Sequence, residues 1–252
     1  MMRRTLRSAW RLLGVLALIL GGLVVLRALF PHWQPAQRAR VKQRWSRALV
    51  ATLGVRIEAS GPAPAPGTLL VGNHVSWLDV FVLNALAPTS FVCKSEVRGW
   101  PLIGALVSRS GTLFITRGSR AAAARAVQSI ARRLAAGERV AIFPEGTTSS
   151  GDRLLPFRGA LFEAAIAAGA PVQPFALRYL DALGQPSTAP AYDGDVSFLQ
   201  SLLAIVRSEG LCARPVYLAP ASGVPDRRAL CRRAEHEVST ALGFAPAIAA
   251  AA

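Results

Sequence analysis

Residues Leu12–Leu26 read LLGVLALILGGLVVL, fifteen residues without a charge, preceded by Arg3, Arg4, Arg7 and Arg11. A run this apolar has to meet lipid or pack beneath other structure. As a helix it reaches about 22 Å against a hydrocarbon thickness of about 30 Å, and continued to Phe30 with a snorkelling Arg27 it reaches about 28 Å. The following residues, Arg27 to Trp33, hold no small-residue cleavage site, which favours a retained anchor over a removed signal peptide. Arg38, Arg40, Lys42, Arg44 and Arg47 put basic residues on the far side as well, so charge sets no orientation. A membrane hairpin or interfacial helix pair fits the segment as well as a span does. Its second helix is predicted over 36–55, where Val41, Trp45, Leu49 and Leu53 form a stripe that meets either lipid or the protein's own core.

The chain has 252 residues, enough for one full domain and an appendage. Hydrophobic residues make up 52% and charged residues 17%, while 29 Lys+Arg against 14 Asp+Glu leave a net charge of +15. That sign calls for an anionic partner: lipid headgroups, a phosphorylated substrate or nucleic acid. The arginines are densest beside the apolar run and are not clustered with aromatics on one face, which argues against nucleic acid. Cys93, Cys212 and Cys231 are scattered, as are His32, His74 and His236, so neither a disulfide framework nor a metal site is expected. Gly61–Gly67, GPAPAPG, reads as a stiff connector. The expected organisation is an N-terminal membrane-associated segment over 1–60, a linker over 61–67, a globular domain over 68–244 and an Ala-rich tail over 245–252.

Within the globular part, short apolar runs alternate with segments of helical period. This predicts an α/β fold with a central, mostly parallel or mixed sheet flanked by helices. Strands are predicted over 68–72, 90–94, 112–116, 139–143, 172–178 and 215–219. Helices are predicted over 76–86, 100–109, 119–136, 159–168, 195–207 and 226–241. Ser119 and Gly137 are the start and stop signals of the longest.

Three segments carry chemistry. Asn73-His74-Val75-Ser76-Trp77-Leu78-Asp79 follows the apolar strand TLLVG. On one continuous helix His74 and Asp79 would lie about 140° apart, so they meet only if the helix begins between them, with Ser76 as its cap. A carboxylate that orients an imidazole makes it a general base for an attacking hydroxyl. The competing reading is a capping box, Ser76-x-x-Asp79, beside a core histidine. Phe143-Pro144-Glu145-Gly146-Thr147-Thr148-Ser149 is a hydroxyl-rich turn after a strand that could receive an anion, with Glu145 as an acceptor for a substrate hydroxyl. Gly111-Thr112-Leu113-Phe114-Ile115-Thr116-Arg117 delivers an arginine at a strand end. No G-x-S-x-G elbow, Walker A loop or G-x-G-x-x-G fingerprint occurs.

In this order, Asn73-His74-x-Ser76-x-x-Asp79, Gly111-x-x-Phe114-Ile115-x-Arg117, Phe143-Pro144-Glu145-Gly146-Thr147 and Ala170-Pro171-Val172-x-Pro174 resemble the four motifs of the glycerolipid acyltransferases, the lysophosphatidic acid acyltransferase family. Lys94-x-Glu96, Trp100-Pro101-x-x-Gly104 and Pro156-Phe157-Arg158-Gly159 extend the resemblance, which covers residues 65–180. It implies transfer of an acyl group from acyl-CoA or acyl carrier protein to a lysophospholipid hydroxyl, with no cofactor and no metal. His74 would be the base and Asp79 its partner. Asn73, Ser76, Lys94, Phe114, Arg117, Glu145, Gly146, Thr147 and Arg158 would serve substrate binding. The acceptor could be 1-acyl-sn-glycerol-3-phosphate or another lysolipid such as lyso-ornithine lipid. A non-catalytic lipid-binding protein of the membrane is the remaining alternative. The expected location is the inner membrane, with the domain on the cytoplasmic side.

Overall fold

The computed structural model describes residues 2–99, 103–115 and 119–244. Arg117 and the Trp100-Pro101 pair lie outside the described residues. Among the described residues, the strands β1 (Arg56–Ile57), β2 (Leu69–Gly72), β3 (Thr89–Lys94), β4 (Leu113–Ile115), β5 (Arg139–Ile142), β6 (Val172–Leu180) and β7 (Cys212–Tyr217) form one sheet. Their order is β1-β7-β6-β2-β5-β3-β4. Neighbours are parallel except β6 and β7, which are antiparallel, so the sheet is mixed. Eight α-helices are described: α1 (Met2–Ala28), α2 (Pro35–Thr52), α3 (Leu78–Leu86), α4 (Ile103–Arg109), α5 (Arg120–Ala135), α6 (Glu163–Ala168), α7 (Phe198–Arg207) and α8 (Arg227–Ala241).

Alternation along the central strands builds two cores. Leu70 faces one with Leu49, Leu53, Leu78, Val82, Leu177 and Ile205, beneath α1, α2, α3 and α7. Leu69 and Val71 face the other with Ile130, Leu134, Phe162, Leu230 and Val238, beneath α5, α6 and α8. The β2 run and, after Arg139, the β5 run are apolar because both of their faces are covered. The Ser119 hydroxyl accepts from Ala122 N–H at the start of α5, and Gly137, at φ +79°, follows its end.

The α2 stripe belongs to the protein's own core. Leu49, Val50 and Leu53 are buried there, and Trp45 packs edge-on against Phe81 while its indole N–H donates to Leu18 O of α1. The 61–67 segment therefore separates no two bodies. Its Pro62 and Pro64 carbonyls accept from Gln173 and Arg139, and before it Ser60 N–H donates to Pro215 O in β7. Strand β1, upstream of residue 68, belongs to the same sheet. Strand β7 also begins at Cys212, three residues before its expected start at Pro215. Proline suits a strand's first residue, but here Pro215 lies inside the β6–β7 ladder.

Helix α1 is docked along the domain. Arg11 donates to Val206 O and Ser208 O at the C-terminal end of α7, and Arg4 and Arg7 pair with Glu209. Its other face is exposed, with Leu6, Trp10, Leu13, Leu16, Leu20 and Val24 on one stripe. Among the described residues it is the one helix long and apolar enough to cross a membrane, over Arg4–Ala28.

Gly72 ends β2 where the chain turns into the site. A Cβ there would lie 2.4 Å from Phe175 O and 2.6 Å from its ring, with rigid backbone on one side. Gly72→Ala is expected to destabilise the fold by about 1–3 kcal/mol, read as a lower midpoint in denaturant at unchanged slope. An unchanged midpoint would refute the close approach.

Candidate active site

The turn from β2 into α3 brings His74 and Asp79 together. Helix α3 starts at Leu78, two residues later than expected, so Asp79 occupies its first turn. Ser76 is not the cap residue; its hydroxyl accepts from Leu78 N–H, and Trp77 occupies the cap position. Asp79 Oδ2 lies 2.7 Å from His74 Nδ1 and accepts from Val75 N–H at 2.8 Å and Ser76 N–H at 3.0 Å. The carboxylate thus satisfies the helix entrance and orients the imidazole at once; the two readings of Ser76-x-x-Asp79 are not exclusive. Its other oxygen accepts from Tyr179 O–H at 2.7 Å. Asp79 is fully buried, and a carboxylate so placed requires such donors. Burial, with the neighbouring Asp79 charge, pushes the Tyr179 phenol well above its ordinary range, so it remains a donor.

His74 is held through its ring and its backbone. Its ring stacks on Phe143 at 3.9 Å, its backbone N–H donates to Glu145 Oε1 at 2.6 Å, and its backbone carbonyl accepts from Ser149 N–H. With Nδ1 on the carboxylate, Nε2 is the nitrogen left for a ligand.

Glu145 is buried and serves the scaffold. Its second oxygen accepts from Leu155 N–H at 3.0 Å, so one side chain ties the histidine backbone to the 154–158 loop. Burial pushes its carboxyl up to about 7, opposed by those two backbone bonds and reinforced by the charges of Asp79 and Asp193. The loop is fixed further by Arg158 N–H on Pro144 O and Phe157 N–H on Glu235 Oε2. Gly146, at φ +74°, carries no side chain where the Arg158 guanidinium lies, 3.5 Å from the Cβ position.

A cavity of about 790 Å³ opens beside His74. Its walls are apolar and aromatic, with Leu18, Trp45, Trp77, Phe81, Phe91 and Phe143 among them. Lys94, Thr147 and Arg158 line it and are exposed, which gives it a polar rim. Lys42 also lines it and donates to Thr89 O at the start of β3. Thr89 pairs with Arg139, and Ile142 pairs with Val71. Thr89, which holds Lys42, therefore lies about three residues, roughly 10 Å, behind Val71 along the strand direction, with His74 beyond the far end of β2.

Of the residues expected at the site, His74, Lys94, Gly146, Thr147 and Arg158 line the cavity. Asn73, Ser76 and Glu145 have side chains bonded inside the protein, Asn73 to both the N–H and the carbonyl of Leu177. Phe114 is half-buried under the Arg98 guanidinium and is not among the cavity-lining residues. Arg117 lies outside the described residues. Tyr179, Lys42 and Glu235 were not foreseen. Tyr179 sat inside an apolar strand run, Lys42 inside a basic stretch, and Glu235 among alternating charges.

The Acyltransferase family model matches residues 54–178. The chain is 39% identical over 208 residues to the 1-acyl-sn-glycerol-3-phosphate acyltransferase of Neisseria meningitidis serogroup B, covering 81% of each. It is 41% identical over 247 residues to the lyso-ornithine lipid O-acyltransferase of Pseudomonas aeruginosa, covering 96% of this chain and 94% of that one. The crystal structure of the 1-acyl-sn-glycerophosphate acyltransferase PlsC from Thermotoga maritima superposes with a TM-score of 0.69 at 18% identity, over 96% of this chain and 95% of that one, and so shares its fold. A sheet domain of this architecture, with sequence likeness of this extent, defines an acyl-transferring enzyme. The chain belongs to the acyltransferase family and is an O-acyltransferase.

Lys42 offers a check on the cavity. Burial pushes its ammonium down to about 8 from an ordinary value of 10.5. The charged form is disfavoured in the folded state, so the cost is full below pH 8. It is relieved as pH rises from about 8 to 10.5, where the unfolded chain still holds the proton. Lys42→Met is expected to be more stable than the parent at pH 7, with the gap closing towards pH 10 in denaturant titrations. A gap independent of pH would contradict the burial of this charge.

Proposed function

We propose that the chain transfers a fatty acyl group from an acyl thioester, acyl-CoA or acyl carrier protein, to the free hydroxyl of a lysolipid. The favoured acceptor is 1-acyl-sn-glycerol-3-phosphate, giving phosphatidic acid. The observation that carries this reading is the 2.7 Å contact of His74 Nδ1 with buried Asp79, made where an apolar cavity meets a cationic rim. His74 Nε2 takes the acceptor's hydroxyl proton as its oxygen attacks the thioester carbonyl. The C–O bond forms, the C–S bond breaks, and the thiolate leaves with the proton that His74 returns. Asp79 stabilises the imidazolium between these steps. No acyl-enzyme and no cofactor is needed. Arg158 and Lys94, with Arg117, Gly146 and Thr147, are assigned to the acceptor headgroup, and arginine suits a phosphate through paired N–H donors. Asn73, Ser76 and Glu145 act by holding the turn and loops. The apolar length between His74 and Lys42 gives an acyl chain room away from water.

The exposed apolar stripe of α1, in a sequence segment with basic residues before and after its apolar run, supports binding to an anionic leaflet. The clamp of Arg11 on α7 supports a helix that lies with the domain on one leaflet rather than one that spans freely. The inner membrane, with the domain on the side where acyl thioesters are made, fits both substrates.

A second acceptor, lyso-ornithine lipid, is supported by the relative of that name that the chain matches over nearly its whole length. The test crosses both lysolipids with acyl-CoA and acyl carrier protein donors, using the full chain reconstituted in vesicles. Phosphatidic acid formation is expected. Turnover of lyso-ornithine lipid alone would exchange the acceptors, and no transfer in any combination would overturn the reading. His74→Ala should lower turnover by about 10²–10⁴-fold while leaving membrane binding intact. Near-normal transfer by that variant would remove the dyad.

A further inference from the structure

The site acid has a second side-chain partner. Asp79 Oδ2 is occupied by His74 Nδ1 and by the N–H groups of Val75 and Ser76. For Oδ1, the donor among the described residues is the Tyr179 hydroxyl, 2.7 Å away and buried. Strand β6 is built to bring it there. Its ladder with β2 ends at Gly72 opposite Phe175. Beyond that point the Asn73 side chain imitates a strand backbone, donating to Leu177 O at 2.9 Å and accepting from Leu177 N–H at 2.7 Å. This carries the pairing one step past the end of β2. Tyr179, two residues on and on the same face as Leu177, then reaches the carboxylate.

We infer that Tyr179 is a positioning residue of the acyl-transfer site: it fixes the rotation of the Asp79 carboxylate, so that Oδ2 is presented to His74 Nδ1. Without the phenol, Oδ1 is a buried charged oxygen lacking a donor. The carboxylate then turns toward whatever donor it can find and gives up part of its hold on the imidazole. Chemistry suffers and substrate binding does not, because Tyr179 does not line the cavity.

This inference rests on His74 and Asp79 acting as the base and its partner, and the experiment separates the two claims. Tyr179→Phe, Asp79→Asn, the double variant and His74→Ala are purified as full chains. Each is assayed with acyl-CoA and whichever of 1-acyl-sn-glycerol-3-phosphate or lyso-ornithine lipid the parent turns over. Tyr179→Phe is expected to lower kcat about tenfold with KM within about twofold. In the Asp79→Asn background the same change should cost nothing more, since the residue through which it acts is already altered. A normal kcat for Tyr179→Phe beside an inactive His74→Ala would overturn the inference and leave the dyad. A tenfold loss that persists in the Asp79→Asn background would overturn it too. An active His74→Ala would instead sink the dyad reading itself. Should Tyr179→Phe fail to fold, 3-fluorotyrosine at 179 keeps the ring and strengthens the donor. A changed kcat at constant KM would then support the assignment, and an identical kcat would overturn it.

Discussion

A carboxylate with no exposure to water is the constraint around which this fold is arranged. Asp79 sits at the first turn of α3 beneath the sheet's C-terminal edge, and a charge so buried persists only when its lone pairs are met. The donors arrive from separate parts of the chain: the turn backbone at Val75 and Ser76, the His74 ring, and Tyr179 a hundred residues later. Their convergence requires the parallel register of β2 and β6, the amide of Asn73 that prolongs it, and a glycine at 72 that lets the strands approach. The requirement that stabilises the carboxylate also aligns the histidine, so the fold and the proposed site share one set of hydrogen bonds.

A second buried carboxylate does a similar job one loop away. Glu145 spends both oxygens on backbone N–H groups, one from His74 and one from Leu155, and so sets the spacing between the imidazole and the loop that carries Arg158. Glu235 of α8 holds the same loop from behind through Phe157. The imidazole and the cationic rim are therefore fixed to a common frame. The cavity between them and Lys42 is closed on one side by α1, whose opposite face is apolar and exposed. One helix thus forms both a cavity wall and a surface suited to lipid.

Much of this was legible in the chain. The strand runs TLLVG and RVAI and the periodic helix after Ser119 announced an α/β domain, because burial on both faces leaves an unmistakable apolar pattern. The pairing of His74 with Asp79 was legible because both lie in one short turn, where geometry follows from local spacing. The role of Glu145 was not, since its partners sit 71 and 10 residues away and nothing in Phe-Pro-Glu-Gly says whether a carboxylate points outward or back. Tyr179 was hidden for the same reason: a tyrosine in a buried strand announces a core residue, and only the sheet register brings its hydroxyl to an acid. The stripe Trp45, Leu49 and Leu53 was ambiguous because helices against lipid and helices against a core use the same residues.

The central claim is that Asp79 holds His74 with its proton on Nδ1 and leaves Nε2 to the substrate. Histidine ¹⁵N and proton NMR reads this directly, and with His32, His74 and His236 the only histidines in the chain the spectrum is simple. The account predicts that neutral His74 is the Nδ1–H tautomer, with a strongly downfield proton that disappears in Asp79→Asn. A His74 that carries its proton on Nε2, or whose spectrum ignores the loss of Asp79, would contradict it.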